Sequence, residues 1–313
     1  MNYLAFVVRR LISLIPVLFG ISLLVFFMIH LVPGDPAVTL LGSHATTTAV
    51  AELHKQLGLD HPIWQQYLTF LNHLLHGNLG ESYQYRTSVS SMIAQNLVPT
   101  VWLIVAGALF AVVISVPLAV WAASRRNRFA DSAIRTIPLI GLGMPAFWLG
   151  IMLILLLSLK AGAFPASGFG TGLFNHVQSI ILPGLTVALA LVPILVRSLR
   201  ASMINVLQSD YIVTARSKGL SAPRVVLGHA LRNAAISSVT VLGVNIAYLI
   251  GSTLVVEKVF ALNGVGFLMI TAIFNRDFPI VQGVTLLFAI MVVVVNLLTD
   301  ISHAALDPRV RLS

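Results

Sequence analysis

Six runs of mainly apolar residues, at about 9–31, 99–123, 137–159, 180–197, 235–256 and 284–305, dominate this sequence. Crossing about 30 Å of hydrocarbon takes about twenty such residues at a helical rise of about 1.5 Å each, and the bilayer offers no water to an unpaired backbone. Each run is therefore expected to be a membrane-spanning α-helix, and the chain to be an all-α membrane protein with one transmembrane domain over residues 1–313. The length alone would hold two soluble domains. Only 9% of the residues are charged, however, against about a quarter in a soluble protein. The 180–197 run is the shortest and contains both Pro183 and Pro193, so its ends are the least defined. The first run follows Arg9-Arg10 and is free of charge from Leu11 to His30. That is longer than a signal-peptide core and lacks a small-residue cleavage site, so it reads as an uncleaved span.

A net charge of +9 raises the question of a nucleic-acid partner, which the placement of the charges answers. With the N-terminus in the cytoplasm, Arg9, Arg10, Arg125, Arg126, Arg128, Arg135, Arg197, Arg200, Arg216, Lys218, Arg224, Arg232, Arg309 and Arg311 lie inside. Only Lys55, Arg86, Lys160, Lys258 and Arg276 lie outside. Fourteen against five is the positive-inside bias of a multi-pass protein, so the basic surplus is a topology signal and no nucleic-acid partner is expected. Both termini and the 198–234 loop are then cytoplasmic, and 32–98 is an outer loop. Trp102 and Trp121 fall near span ends, as interfacial aromatics do, whereas Trp148 lies mid-span and is assigned to helix packing.

The outer loop carries two short amphipathic patterns. Thr48 to Leu57 places Val50, Leu53 and Leu57 at helical spacing, and Pro62 opens a second pattern through Trp64, Tyr67, Leu68, Leu71 and Leu75 to Gly77. Such helices either cap the pore mouth or the lipid interface, or simply pack on the bundle. His44, His54, His61, His73 and His76 share this loop, and His73 and His76 are one turn apart. With no cysteine in the chain and no carboxylate cluster beside them, they read as solvated histidines rather than a metal site. Pro117, Pro145, Pro183 and Pro193 within the spans read as static kinks, with hinges as the alternative. Asn245 and Asn296 are expected to face the bundle interior, since an amide is unfavourable against lipid. Glu257 with Lys258, and Arg276 with Asp277, are expected as exposed ion pairs of little energetic weight. Neither a phosphate-binding Gly-x-x-x-x-Gly-Lys-Ser/Thr loop, a Gly-x-Ser-x-Gly nucleophile turn nor a His-Glu-x-x-His helix occurs, so no catalytic residue, metal or cofactor is assigned to the chain.

The 198–234 loop is different in kind. Tyr211, Thr214, Ala215 and Lys218 recur at helical spacing, with Ser209 or Asp210 available to cap the start and Gly219 placed where a helix ends in a left-handed residue. Ser221 can cap a second helix, with Pro223 in its first turn. The result is an elbow that presents a knob of side chains below the membrane. From the residues alone, an ordinary linker whose arginines obey the topology rule is the favoured reading, with the elbow as the alternative.

The wording of this loop, Asp210-Tyr211-Ile212-Val213-Thr214-Ala215-Arg216-Ser217-Lys218-Gly219-Leu220, then His229-Ala230-Leu231-Arg232, resembles the coupling loop of permease subunits in binding-protein-dependent ABC importers. The commoner form of that motif has Glu-Ala-Ala, three residues and Gly, then Ile-x-Leu-Pro. Val213 stands in place of the glutamate, Thr214 in place of one alanine and Arg232 in place of the proline, and this departure resembles the peptide and nickel branch. Leu31-Val32-Pro33-Gly34-Asp35-Pro36-Ala37, Leu57-Gly58-Leu59-Asp60, Gly77-Asn78-Leu79-Gly80, Val256-Glu257, Asn275-Arg276-Asp277-Phe278-Pro279 and Leu306-Asp307-Pro308-Arg309 resemble the same branch in order along the chain. The Ala261-Leu262-Asn263-Gly264 segment lacks a tryptophan often seen there.

The resemblance implies a permease subunit in the inner or plasma membrane of a prokaryotic cell, paired with a second homologous permease. It further implies two ATP-binding subunits or domains, which carry ATP and Mg, and an extracytoplasmic substrate-binding protein. Asp210, Tyr211, Ala215, Arg216, Lys218 and Gly219 are the implied ATPase-coupling residues, and no substrate-binding residue is assigned. The implied cargo is a di- or oligopeptide, with nickel or a chelated metal as the alternative. A secondary transporter or channel is a third reading, weakened because the spans hold almost no ionisable group away from their ends. Since the chain has no cysteine, topology is directly testable. Single cysteines at Ser43 and Ser167 should react with an impermeant thiol reagent on intact cells, and those at Ser124 and Ser221 only after lysis. Labelling at 221 on intact cells would contradict the orientation.

Overall fold

The computed structural model describes residues 3–31, 35–41, 45–126, 129, 131–134, 136 and 143–306. Its named elements are all helices: α1 (Tyr3–Leu31), α2 (Pro36–Leu41), α3 (Thr47–Leu57), α4 (Ile63–Leu75), α5 (Val89–Ser124), α6 (Ala146–Leu153, continued by a π-helix over Ile154–Lys160), α7 (Leu173–Leu207), α8 (Asp210–Ser217), α9 (Leu231–Val259, preceded by π-helical turns over Arg224–Ala230), α10 (Val265–Phe274) and α11 (Phe278–Leu306). Among the described residues, the remaining pairing is one antiparallel bridge between Glu81 and Ser88.

Five of the expected spans fall on helices, and the third does so over its described part from Ala146 on, but they are not equal. Val89–Ser124, Leu173–Leu207, Arg224–Val259 and Phe278–His303 are long and apolar enough to cross a membrane, whereas the apolar stretches Ile12–Met28 and Ala146–Lys160 are shorter. The first part of the third expected span, 137–142, lies outside the described residues, as do Pro33, Gly34, Ser43, His44, Arg128, Arg135 and the Asp307-Pro308-Arg309 to Arg311 end. Pro183 and Pro193 do not shorten their helix: α7 continues through both for 35 residues. Neighbouring helices and side chains can satisfy backbone groups that proline frees within a bundle. The short apolar helix α10 was not anticipated, because its ten residues are too few for a span and lie in what reads as a loop.

The main contact of the bundle is α5 against α7. A Cβ built on Gly107 would lie 2.5 Å from a Val187 methyl group, and one on Gly184 would lie 3.0 Å from the Ala106 Cβ. Hydrogen in place of a side chain therefore lets the two backbones approach, which is how membrane helices gain dispersion contact without a hydrophobic drive between them. Leu103, Ala111, Leu182, Ala188 and Leu191 fill the seam, with Leu249 and Val256 of α9 closing it. Helix α11 packs on α9 and on α1, where Arg10 pairs with Asp300.

In the outer loop, α3 starts at Thr46, whose hydroxyl accepts from Ala49 N–H, and ends at Gly58 with φ 67°. α4 packs on α1 through Tyr67 and Phe26, with ring centroids 5.3 Å apart, and the Tyr67 hydroxyl meets Ser22 Oγ at 2.9 Å. No α4 residue is fully buried, so the helix lies on the outside of the bundle. His54 is not a solvated histidine: its Nε2 sits 2.8 Å from Asp35, and this hydrogen bond first of all holds the Asp35 carboxyl below its usual pKa.

Several expected side-chain placements are corrected. Trp148 is 41% exposed rather than packed inside. Asn245 is half-buried and donates to the Val241 carbonyl of its own helix at 2.6 Å. Asn296 shares a helical stripe with Thr299 and His303, which meet Gly243 and Thr240 of α9, yet its side chain is exposed. Neither expected ion pair forms. Glu257 is fully buried, accepts Thr100 Oγ1–H at 2.6 Å and Phe267 N–H at 2.8 Å, and so caps α10 from a neighbouring helix. Thr100 Oγ1 in turn accepts Val265 N–H at 2.8 Å. Lys258 instead sits 4.5 Å from the Phe267 ring centroid, a cation–π contact.

Asp277 is likewise buried. It accepts Ser82 Oγ–H at 2.5 Å and the N–H groups of Tyr83 and Gln84 at 3.1 and 3.2 Å, tying the start of α11 to the segment before α5. Burial, and then the Asp277 charge, push the Tyr83 phenol up to about 12. Both acids are bound by donors that adjacent sequence does not reveal. Glu257→Leu should therefore leave the Thr100 hydroxyl and the Phe267 amide without an acceptor, at about 1–3 kcal/mol. The expected result is a lower Tm of the purified protein in detergent, with a smaller loss for Glu257→Gln, and an unchanged Tm for the leucine variant would contradict the capping role.

Candidate coupling elbow

Helix α8 begins at Ser209, whose backbone is extended at φ −76°, ψ 150° and whose carbonyl accepts from Ile212 and Val213. The expected side-chain cap is not made: Ser209 Oγ donates back to the Val206 carbonyl at 2.6 Å. Asp210 occupies the first turn, where a negative charge suits the helix dipole. The helix ends as its sequence requires. Leu220 N–H donates to the Ala215 carbonyl and Gly219 N–H to the Arg216 carbonyl, the paired bonds of a Schellman motif, with Gly219 at φ 79°. A side chain there would be strained by the backbone alone, because nothing else approaches a Cβ at this position. The chain turns at Leu220 and Ser221, and the Ser221 carbonyl accepts Val225 N–H at 3.0 Å in the turn that leads through Pro223 into the π-helix. π-helical turns recur at functional sites.

The elbow has an inner and an outer face. Ile212 and Ala215, together with Val225 and Ala230, are buried in one cluster with Ala119, Ala122 and Ala123 of α5 and Val196, Leu199 and Met203 of α7. Burying an isoleucine is worth about 1.5–3 kcal/mol, so the knob is held to the ends of the two central helices rather than hanging from a linker. Of the six sequence-predicted residues, Asp210, Tyr211, Arg216, Lys218 and Gly219 are exposed, and only Ala215 faces inward. Tyr211 and Val213, at 46% and 56% exposure, leave apolar surface on the outer face. Ile212, the anchor, went unnoticed in the sequence. Its signal was the inward stripe Ile212-Ala215 continued by Leu220.

Two polar contacts brace the elbow's seat. Arg200, near the end of α7, donates from Nε and Nη2 to the two oxygens of Asp131 at 2.5 and 2.6 Å, and Asp131 is fully buried. Ser202 of α7 meets Ser237 of α9 at 2.6 Å. Arg200 reads in sequence as one more topology arginine, and its partner is 69 residues away. Beside the elbow lies a cavity of about 340 Å³ between the ends of α5 and α7 and the turn that follows α8. Among the described residues, no group of three His, Asp or Glu side chains converges as a metal site would require.

This arrangement is a compact helical elbow seated on a bundle with four helices long and apolar enough to cross a membrane, and comparison with known proteins places the chain in a family along its length. The family profile described as "Binding-protein-dependent transport system inner membrane component" matches residues 115–312, and the profile for the N-terminal part of such membrane components matches residues 3–104. The glutathione transport system permease protein GsiC of Escherichia coli K12 is 39% identical over 308 residues, covering 98% of this chain and 99% of its own. The protein of that name from Shigella dysenteriae serotype 1 matches to the same extent. Among solved structures, a chain of the inward-facing MetNI methionine ABC transporter superposes with TM-scores of 0.57 and 0.58 in two crystal forms, at 18% and 16% identity. The superposition covers 69% of this chain and 96% of that one, and it speaks for the fold alone. A knob seated on a membrane bundle, within a sequence that these profiles match almost from end to end, makes the chain a member of the binding-protein-dependent transport system inner membrane components, a multi-pass permease subunit of an ABC importer.

Proposed function

We propose that this permease, paired with a second homologous permease, forms the pathway by which an ABC importer brings short peptides into a prokaryotic cell, with glutathione as the first cargo to test. The observation that carries the reading is an elbow anchored by Ile212 and Ala215 while Tyr211, Arg216 and Lys218 stay exposed, in a chain 39% identical over its length to a glutathione transport permease. In this reading residues 1–313 are one membrane domain that crosses six times. The four long apolar helices are joined by α1 and by the segment that ends in α6, and both termini and the 198–234 loop lie in the cytoplasm.

ATP and Mg belong to two partner ATP-binding subunits or domains, and an extracytoplasmic binding protein delivers the cargo. The chain itself holds no catalytic residue and no cofactor. When the ATPases close, they move the exposed face of the elbow. Because its inner face is buried between the ends of α5, α7 and the turns leading to α9, that displacement is passed to the helices rather than lost in a flexible loop. Access to the pathway then switches from one side of the membrane to the other.

Uptake by the reconstituted transporter tests this reading. Glutathione or a di- or oligopeptide should accumulate in an ATP-dependent manner. Gly219→Val should abolish uptake while the subunit still inserts, because a β-branched residue in a left-handed conformation costs about 1–2 kcal/mol or more and deforms the elbow. Unchanged uptake with wild-type ATPase stimulation in Gly219→Val would contradict the elbow's role. Nickel uptake exceeding peptide uptake, and falling in the His73→Ala, His76→Ala double variant, would overturn the peptide assignment.

A further inference from the structure

Helix α4 divides lengthwise into unlike surfaces. Trp64, Leu68, Leu71 and Leu75 recur at spacings of four and three along one stripe, while Gln65, Thr69, Asn72 and His73 occupy the opposite arc. Tyr67 and Phe70 flank the stripe and make the contact with α1, their ring centroids 5.3 and 5.7 Å from that of Phe26. The stripe itself is left uncovered, for Trp64, Leu68 and Leu75 are all exposed. The helix contains no Asp, Glu, Lys or Arg.

The place where α4 touches α1 sets its depth. Tyr67 meets Ser22, a buried residue of α1, hydroxyl to hydroxyl at 2.9 Å. Twelve residues before Ser22, Arg10 pairs with Asp300 near the end of α11, a helix long and apolar enough to cross a membrane. Nine residues after Ser22, α1 ends at Leu31. Those intervals amount to about 18 and 13 Å of helical rise, together close to the thickness of about 30 Å of a hydrocarbon core. A charged pair belongs at one boundary of that core and the Pro33-Gly34-Asp35-Pro36 break at the other. Ser22 therefore lies inside the apolar layer, in its outer half, and the pairing of its hydroxyl with that of Tyr67 suits a place without water. Amphipathic helices in a bilayer interface sit about 5–10 Å below the headgroup boundary, and a tyrosine reaching inward from such a helix arrives at this level. Phe19 and Leu24 of α1 are exposed around the same level, so the uncovered stripe continues an apolar surface that α1 already presents.

We infer that α4 is an interfacial helix seated in the outer leaflet of the bilayer, with Trp64, Leu68 and Leu75 among the upper acyl chains and Thr69, Asn72 and His73 toward the headgroups. The partner of this surface is lipid. With no charged side chain on the helix to select an anionic headgroup, the seat depends on apolar burial and is insensitive to salt and to lipid charge. The seat also moors the outer loop. Gln66 Nε2 donates to the carbonyls of Leu59 and His61 at 3.0 and 2.8 Å, which holds the turn after α3. Beyond α4, the Gly77 carbonyl accepts from Ser90 Oγ of α5 at 2.6 Å. The loop is thus fixed to the leaflet as well as to the bundle. The inference rests on the proposed six-crossing reading, in which α1 is a span and 32–98 an outer loop.

The test uses the whole transporter, purified with its ATPase partners and placed in phosphatidylcholine nanodiscs. The chain has no native cysteine, so single spin labels can be attached at Leu68→Cys and Leu75→Cys on the stripe, at Thr69→Cys and His73→Cys on the polar arc, and at Leu24→Cys of α1 as the reference. All five native side chains are exposed, and co-purification of the ATPase reads assembly of each variant. Collisions with oxygen, which concentrates among acyl chains, are compared with collisions with water-borne chromium oxalate. The ratio of oxygen to chromium collisions should be several-fold higher at 68 and 75 than at 69 and 73, equal to that at 24 within a factor of a few, and unchanged by added salt or by phosphatidylglycerol. Chromium oxalate reaching 68 and 75 but not 24 would place α4 in water and overturn the seat alone. If it reaches 24 as well, α1 is not a span, and the six-crossing reading falls together with the seat. Labels at 68 and 75 that neither reagent reaches in the assembled transporter, but that oxygen reaches in the permease alone, would show a protein partner on the stripe and overturn the lipid assignment.

Discussion

Val187 occupies the space that a side chain on Gly107 would need, and that substitution of one helix's bulk for another's absence brings α5 and α7 together. At about 1.5 Å per residue, α5 and α7 are each about 50 Å long, enough to run from one end of the bundle to the other. Both the elbow and the cap of α10 attach to this pair. At one end α5 supplies Thr100, which joins Glu257 in fixing α10, and at the other the two helices end in the cluster that receives Ile212 and Ala215. A displacement of the elbow would therefore act on the ends of the two helices that share the most extensive mutual contact.

The two ends are built on different physics. The elbow is seated by apolar burial, with one bidentate ion pair, Arg200 to Asp131, bracing it. The opposite end is held by carboxylates in capping roles: Glu257 binds the start of α10, and Asp277 gathers Ser82, Tyr83 and Gln84. Buried carboxylates that bind backbone N–H groups are sensitive to geometry in a way that apolar contacts are not. That end is thus specified closely, whereas the elbow keeps Asp210, Tyr211, Val213, Arg216 and Lys218 exposed on its outer face.

Much of this was legible in the sequence. Gly219 announced a left-handed helix end and has one, and the runs of apolar residues marked all the long helices. Local rules sufficed there because the cause lies within a few residues of the effect. They failed where the cause lies far along the chain. Glu257 next to Lys258, and Arg276 next to Asp277, look like pairs, but the partners that bury these acids are Thr100 and Phe267, and Ser82, Tyr83 and Gln84. Asp131 and Arg200 gave no sign of each other. Trp148 and Asn296 were assigned inward because their positions are mid-span, yet both are exposed on the chain taken by itself. At the elbow, the motif drew attention to the exposed residues, while the anchor Ile212 looked like any isoleucine.

The central claim is that the exposed face of α8 is where an ATPase docks. Val213, at 56% exposure, lies on that face, and no native cysteine interferes. A single Val213→Cys chain, purified with its ATPase partner and treated with a short bifunctional thiol–amine reagent, reports the contact directly. The account predicts a covalent adduct between permease and ATPase from Val213→Cys and none from Ser167→Cys. Adducts from Ser167→Cys with none from Val213→Cys would contradict it.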